Sequence, residues 1–256
     1  MRNMNQKPTI TIVGFGRFGQ TLCRLLDGEC TIHILTAHPK KIKPEQLPGN
    51  CSVVVSIKEG LMSDVIFYCV PIRDFKKVLA SHKKYLKQQL LIDVLSVKLH
   101  AQQVFAQVLK GTNARALLTH PMFGPDSSKE GFAHLRIVMN RFMATEDEYE
   151  FWKTIFIKKG LTIIEMDADT HDRLAARSQG VAHLVGRSLA QFGMQETPID
   201  TKGSKLLLEL MEQTCHDSWE LFEDMQTKNP YAKKMRKDMY KAMQAVFSYF
   251  KFDPGG

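Results

Sequence analysis

The first two thirds of the chain alternate between short apolar runs rich in β-branched residues and longer segments with helical periodicity. The apolar runs predict strands at 9–13, 31–36, 52–56, 65–70, 90–94, 116–119 and 135–139. The periodic segments predict helices at 17–26, 75–86 and 99–109. Strands that alternate with helices in this way are typical of a mostly parallel sheet covered by helices. We therefore expect an α/β fold in this part of the chain.

The pattern changes near residue 168. The segments 171–192, 203–228 and 231–250 have helical periodicity and lack β-branched runs, and Pro198 and Pro230 mark breaks between them. A capping role is expected for Asp172 at the start of the first segment. The pattern predicts two domains, an α/β domain over residues 1–167 and an all-α domain over residues 168–256.

The basic charge does not indicate a nucleic-acid partner. The formal net charge is +8, but the lysines are scattered along the chain in small groups. Such groups are typical of solvated faces, and the net charge favours the attraction of small anions. We expect no nucleic-acid partner.

The cysteines and the apolar runs bear on the compartment. The five cysteines include no C-x-x-C pair, which is typical of reduced thiols and predicts neither a disulfide framework nor a metal site. No apolar run approaches the length of a membrane span. The polar N-terminus enters a strand by residue 9, which leaves no room for a signal peptide. We expect a cytoplasmic protein without a membrane partner and without an appended regulatory domain.

A glycine-rich motif follows the first predicted strand and opens the first predicted helix. It consists of Gly14, Phe15, Gly16, Arg17, Phe18 and Gly19. In a G-x-G-x-x-G loop, Gly14 permits a tight turn, Gly16 lets the backbone approach a pyrophosphate, and Gly19 allows close helix–strand packing. The motif predicts a Rossmann-like dinucleotide site, with a turn that binds no ligand as the alternative.

The second strand indicates which dinucleotide binds. Sites for NAD usually place an acidic residue near its end to bind the ribose hydroxyl. Here no acidic residue occurs between residues 31 and 44, and Thr36, His38, Lys40 and Lys41 occupy that region. These side chains suit a 2′-phosphate, so we expect NADP, with NAD as the less favoured cofactor. The alternative is that the lysines belong to a solvated loop.

Residues 119–127 contain the strongest candidate for catalysis. His120 follows an apolar run and precedes Pro121, which disfavours the helical conformation at the histidine. An imidazole at the carboxyl end of a strand lies where α/β folds bind ligands. The alternative is a surface histidine in a turn.

The chain resembles the prephenate/arogenate dehydrogenases of tyrosine biosynthesis, and most closely the plant-type arogenate dehydrogenases. The resemblance lies in the stretches 14–20, 93–98, 119–127, 183–187, 197–203 and 217–218. It implies NADP-dependent oxidative decarboxylation of arogenate to tyrosine. The alternatives within the family are a prephenate dehydrogenase and an enzyme that accepts both substrates. An alternative of another class is a non-catalytic sensor that binds NADP.

The resemblance also implies roles for residues of the first domain. His120 takes the proton of the substrate hydroxyl, for which a side chain of near-neutral pKa is suited. Ser96 orients this histidine and the hydroxyl; the alternatives are a helix N-cap alone or both roles together. Lys98 either adds positive potential or faces solvent.

In the helical domain the resemblance implies that His183 lines the substrate pocket; the alternative is a core histidine with satisfied hydrogen bonds. Arg187 is four residues away and therefore shares a helix face with it, and Gln179 is a further candidate. Asp217 matches the acidic position that accompanies arogenate use, where it pairs with the substrate ammonium. The alternative is a surface aspartate on an amphipathic helix.

The helical domain is also the expected site of homodimer formation. This family usually dimerises through that domain, and an apolar segment in it is compatible with an interface or with an intrachain core. The segment comprises Leu206, Leu207, Leu208, Leu210 and Met211. The resemblance therefore implies a helical substrate and dimerisation domain.

Overall fold

The computed structural model describes residues 7–250, apart from the side chain of Gln46. The predicted domain limits at residues 1 and 256 and the polar N-terminal residues 1–6 lie outside the described residues. The chain divides into two compact units, the first ending at Ala168 and the second beginning at Asp169.

The first unit contains one sheet, of eight strands among the residues described. These are β1 (Thr9–Val13), β2 (Thr31–Leu35), β3 (Cys51–Val54), β4 (Val65–Tyr68), β5 (Leu90–Asp93), β6 (Arg115–Pro121), β7 (Arg136–Asn140) and β8 (Thr162–Glu165). They lie in the order β3-β2-β1-β4-β5-β6-β7-β8. Every neighbouring pair is parallel except β6 with β7. The expected mostly parallel, Rossmann-like sheet is confirmed.

Helices cover the sheet and close its core. They are α1 (Arg17–Leu25), α2 (Ile57–Gly60), α3 (Ile72–His82), α4 (Lys98–Val108) and α5 (Glu146–Lys158). Strands β4 and β5 are buried at every position, as expected for parallel strands with both faces covered. Trp152 of α5 packs edge-on against Phe67 of β4, with 4.9 Å between ring centroids. Full burial of a large apolar side chain such as Phe67 stabilises the fold by about 1.5–3 kcal/mol.

The sheet order places the candidate residues at one edge. The chain leaves β1 for β2 on one side, whereas β4 lies on the other side of β1. Ligands bind at such a reversal, outside the carboxyl ends of the strands. The glycine motif follows β1, Ser96 follows β5, and His120 lies near the end of β6.

The second unit is helical. Its helices are α6 (Ala168–Arg177), which begins at the unit boundary, α7 (Gln179–Phe192), α8 (Lys202–Cys215), α9 (Trp219–Lys228) and α10 (Ala232–Ser248). The predicted segment 171–192 is thus two helices separated at Ser178, and the segment 203–228 is interrupted at 216–218. Between residues 7 and 250 no helix combines the length and the apolar character that a bilayer span requires.

The predicted capping role of Asp172 is wrong. Helix α6 begins at Ala168, so Asp172 lies in its second turn, fully buried. Its carboxylate lies 2.8 Å from Nδ1 of His171, and its carbonyl accepts from the Asn229 side chain. The residue therefore has a packing role inside the helical unit.

Candidate functional site

The loop between β1 and α1 has the backbone geometry that a dinucleotide requires. Gly14 has φ +99°, and a Cβ there would lie 2.4 Å from the carbonyl oxygen of Cys69. A Cβ on Gly19 would lie 2.4 Å from the carbonyl oxygen of Gly14. A Cβ on Gly16, by contrast, would have no heavy atom within 4 Å. Two glycines thus permit tight packing, while the middle one leaves open space beside its backbone.

The amino terminus of α1 is available to an anion. Gly16 is its N-cap, with no side-chain hydrogen bond to the cap, and the first turn contains no acidic residue. The first N–H groups of a helix and its dipole attract phosphate groups. The loop therefore fits the pyrophosphate of a dinucleotide.

The residues predicted to bind a 2′-phosphate follow β2, which adjoins the glycine loop. The amide of Gly14 donates to the carbonyl of Leu35, the last residue of β2, at 2.8 Å. Thr36 is half-buried and accepts from the backbone amide of His38 at 3.3 Å. His38 and Lys40 are exposed. The arrangement leaves these two side chains accessible to a ligand.

A salt bridge joins the glycine loop to the segment 119–127, which contains His120. Nη2 of Arg17, the first residue of α1, lies 2.5 Å from Oδ2 of Asp126. Lys129 lies 3.0 Å from the other carboxylate oxygen. Hydrogen bonds from Lys129 and Arg17 lower the pKa of Asp126 to about 2. The carboxylate is therefore ionised at neutral pH and holds Arg17 beside the motif, a contact that the sequence pattern does not predict.

His120 lies inside β6 and is only 2% exposed. It is paired in register with Val138 of the antiparallel strand β7. The alternative of a surface histidine in a turn is therefore wrong. The extended backbone and the position near the carboxyl end of the strand agree with the sequence-based expectation.

A buried ion pair lies directly before His120. The Lys98 ammonium is 1% exposed and donates to the Asp93 carboxylate and to the carbonyl of Thr119. The Thr119 amide donates to the other oxygen of Asp93 at 3.3 Å, and its hydroxyl donates to the Asp93 carbonyl at 2.5 Å. Burial raises the pKa of Asp93, and the charge of Lys98 opposes that shift.

This ion pair joins the ends of β5 and β6. Asp93 ends β5 and pairs in register with Leu118, while Thr119 immediately precedes His120. The Asp93 carboxylate also accepts from the amide of Leu95, at the start of the loop that carries Ser96. The ion pair thus fixes both the strand of His120 and the loop of Ser96.

Two alternatives from the sequence are wrong here. Lys98 does not face solvent. Ser96 is not the helix N-cap, because α4 begins at Lys98 and Val97 occupies the cap position. Ser96 is half-buried in the β5–α4 loop.

In the second unit, three candidate residues share one face of α7. Gln179, His183 and Arg187 follow one another at intervals of four residues, which places them on successive turns. Burial lowers the pKa of His183, while the Asp217 charge opposes the shift and the Arg187 charge adds to it. Nε2 of His183 lies 3.8 Å from Oδ2 of Asp217. The imidazole is therefore neutral at pH 7.

Each of these three side chains has a buried polar atom without a hydrogen-bond partner among the described residues. The atoms are Oε1 of Gln179, Nδ1 of His183 and Nε of Arg187. An unpaired buried polar atom costs about 1–3 kcal/mol. Three of them on one helix face are typical of a surface that pairs with a ligand.

Asp217 does not lie on an amphipathic helix, so that alternative is wrong. It lies in the turn between α8 and α9, with 31% of its side chain exposed. The hydroxyl of Ser218 accepts from the amide of Leu221 and caps α9. A serine directly before an apolar helical segment is an N-cap signal. The prediction of one helical segment over 203–228 does not take this signal into account.

Two protein-family models match the chain. The nucleotide-binding domain of prephenate dehydrogenase matches residues 46–142. A domain described as TYRAAT1-like, C-terminal, matches residues 188–251.

Two relatives from Arabidopsis thaliana are 32% identical to this chain. Arogenate dehydrogenase 1, chloroplastic, aligns over 254 residues, which are 95% of this chain and 39% of the relative. Arogenate dehydrogenase 2, chloroplastic, aligns over 247 residues, 93% of this chain and 68% of the relative. The chain belongs to the arogenate/prephenate dehydrogenase family. It spans about two fifths of the length of the first relative and two thirds of the second.

Solved structures of this family have the same fold. Prephenate dehydrogenase of A. aeolicus, in complex with hydroxyphenyl propionate and NAD+, matches with a TM-score of 0.70 at 15% identity, covering 97% of this chain and 92% of that one. Synechocystis arogenate dehydrogenase matches with a TM-score of 0.68 at 18% identity, covering 95% and 92%. The family resemblance and fold class inferred from the sequence are confirmed. The expected cytoplasmic location stays a prediction, since both plant relatives are named chloroplastic.

Proposed function

We propose that the chain catalyses the NADP-dependent oxidative decarboxylation of arogenate to tyrosine. The observation that carries this proposal is His120, buried at the carboxyl end of β6 and held by the Asp93–Lys98 ion pair. The same unit contains a glycine loop whose backbone leaves room for a dinucleotide. A proton acceptor and a cofactor site at one sheet edge suit a dehydrogenase.

The proposed chemistry assigns a proton to His120. A nicotinamide dinucleotide bound at the glycine loop would accept the hydride that leaves the hydroxyl-bearing ring carbon. His120 accepts the hydroxyl proton of the substrate while the carbon–oxygen double bond forms, and Ser96 orients the hydroxyl. The bond between the ring and its carboxylate then breaks with release of CO₂. The electron pair of that bond stays in the ring, which becomes aromatic and carries a phenolate oxygen. The proton then returns from His120 to the phenolic oxygen.

The face of α7 supports arogenate rather than prephenate. Arogenate carries an ammonium on its side chain, whereas prephenate carries a ketone there. Gln179 has an acceptor atom without a donor, and the half-buried Asp217 carboxylate lies beside His183. Both would pair with an ammonium, and His183 completes the proposed substrate contacts on the helix face that also carries Arg187. A ketone carries no positive charge to attract the carboxylate.

The preference for NADP rests on the end of β2. No acidic residue lies between residues 31 and 44, and the side chains of His38 and Lys40 are exposed beyond a strand that adjoins the glycine loop. A 2′-phosphate is attracted by such groups, while a carboxylate there would repel it.

The decisive experiment is a two-by-two assay of the purified chain with arogenate or prephenate and with NADP or NAD. We expect the highest kcat/KM for arogenate with NADP. Higher kcat/KM with prephenate would favour the prephenate dehydrogenase alternative. Absence of reduced cofactor with every combination would refute the proposed activity.

Asp217→Asn should reduce the preference for arogenate. A hydrogen bond to a charged group contributes about 1.5–3 kcal/mol, so we expect the ratio of kcat/KM for arogenate to that for prephenate to fall roughly 10- to 100-fold. Glu209→Gln removes one charge from the exposed surface of α8 and is the matched control. An unchanged ratio in Asp217→Asn would exclude Asp217 from substrate selection.

The helical unit also supports the proposal of a homodimer. Leu206 and Leu207 are exposed in this chain, as are Tyr240, Val246 and Phe247 of α10. Exposed apolar side chains in such numbers are typical of an interface. Light scattering tests this proposal, and a mass of one chain would contradict it.

A further inference from the structure

Arg187 has contacts that differ from those expected of a residue that only binds substrate. Its Nη2 donates to the carbonyl of Asp217 and lies 3.4 Å from the carbonyl of Ser218. Both acceptors belong to the backbone of the turn that carries the Asp217 carboxylate. Hydrogen bonds from an ionised donor are stronger than those from a neutral one.

The guanidinium also contacts the start of α9. Its central carbon lies 5.4 Å from the ring centroid of Trp219 and 5.7 Å from that of Phe222. The two rings pack against each other at 5.2 Å. Cation–π contacts of this kind contribute to holding a helix start in place. Arg187 therefore contacts both the turn and the helix that follows it.

Helix α8, which precedes the turn, packs closely against α7 at Gly186, the residue before Arg187. A Cβ on Gly186 would lie 2.0 Å from Oγ1 of Thr214 and 3.1 Å from the carbonyl oxygen of Leu210. Only a glycine allows α7 and α8 to approach so closely at this point. The turn 216–218 thus begins from a helix in fixed register with α7 and ends at a helix held by Arg187.

We propose that Arg187 is a positioning residue that holds the turn 216–218 against α7 and thereby fixes the Asp217 carboxylate beside His183. This proposal rests on the proposed function, in which Asp217 selects the substrate. Arg187 then determines specificity through Asp217 and not by a contact of its own with the substrate. In a direct contact, the unpartnered Nε of Arg187 would donate to the substrate. The test therefore has to separate positioning of the turn from direct contact with the substrate.

The test compares Arg187→Met, Asp217→Asn and the double variant in the two-substrate assay. We expect Arg187→Met to lower the arogenate-to-prephenate ratio of kcat/KM to within about threefold of Asp217→Asn, with no further fall in the double variant. Arg187→Lys, which keeps one cationic donor, should recover part of the ratio. Arg173→Met removes an exposed cation from α6 and should leave the ratio unchanged.

Two outcomes in this assay would overturn the proposal. An equal loss of kcat/KM for both substrates that adds to the effect of Asp217→Asn would mean that Arg187 contacts the substrate directly. An unchanged ratio in Arg187→Met would mean that Arg187 has no part in specificity.

Hydrogen exchange gives a readout that does not depend on activity. Arg187→Met should accelerate amide exchange in residues 216–222, whereas Arg173→Met should not. Unchanged exchange there would overturn the positioning role. If the wild-type chain oxidises neither substrate, the proposed function fails, while the exchange experiment still decides whether Arg187 holds the turn.

Discussion

His120→Asn is expected to lower kcat about 10²–10⁴-fold with arogenate, the usual contribution of an acid–base group. Asparagine keeps a polar side chain near the imidazole position but cannot accept and return a proton. We expect KM to change less than kcat, because the proton transfer contributes in the transition state. Steady-state kinetics measures both constants.

His134→Asn is the matched control for this variant. His134 is exposed, lies in the loop before β7 and has φ +65°, a conformation that asparagine tolerates well. It should retain wild-type kinetics. A near-wild-type kcat in His120→Asn would remove His120 from the mechanism.

Local signals in the sequence predict seven of the eight strands described and the glycine loop, but not β8 or helix α5. A β-branched run followed by Gly14, Gly16 and Gly19 predicts a strand, a turn and a helix start from neighbouring residues alone. The observed elements β1 and α1 differ from the predicted ones by at most one residue. The position of His120 at a strand end was predictable for the same reason, because Pro121 restricts the conformation of the residue before it.

Contacts between distant segments were not predictable in this way. Lys98 begins a helix, where a lysine usually faces solvent, and its burial becomes evident only when β5 and β6 are paired. That pairing brings Thr119 within reach of Asp93. The sequence signal available was an aspartate at the end of the apolar run 90–92, since a buried carboxylate requires a partner.

The turn that carries Asp217 was missed because helical periodicity continues across it. Leu210 and Leu221, on either side, would fall on one face of a continuous helix, but Ser218 caps a new helix. The contact of Arg187 with this turn depends on how α7 packs against α8 and α9. Such packing is a tertiary property that periodicity along a single segment does not contain.

Lys98→Met is expected to destabilise the fold by about 3–5 kcal/mol at neutral pH, because it leaves the Asp93 carboxylate buried without its cationic partner. Typical domains have only 5–15 kcal/mol of stability, so the loss should be large in denaturant unfolding. The carbonyl of Thr119 also loses a donor, which should displace the strand end of His120 and lower kcat. Lys158→Met removes an exposed partner of Glu29 and should cost less than about 1 kcal/mol.

The pH dependence of this loss distinguishes a buried charge from simple loss of packing. Burial already raises the pKa of Asp93, and Lys98 is the charge that opposes the shift, so the variant should raise that pKa further. A carboxyl whose pKa is raised by folding favours the folded state when protonated, and this stability is lost as pH rises from the unfolded pKa through the folded one. The difference in free energy of unfolding between wild type and Lys98→Met should therefore shrink as pH falls toward about 4, the unfolded pKa of aspartate.

Adding Asp93→Asn to Lys98→Met should recover part of the stability at pH 7, since no unpaired charge then remains in the core. A difference that is independent of pH, together with no recovery in the double variant, would contradict the assignment of Lys98 as the partner that keeps Asp93 ionised.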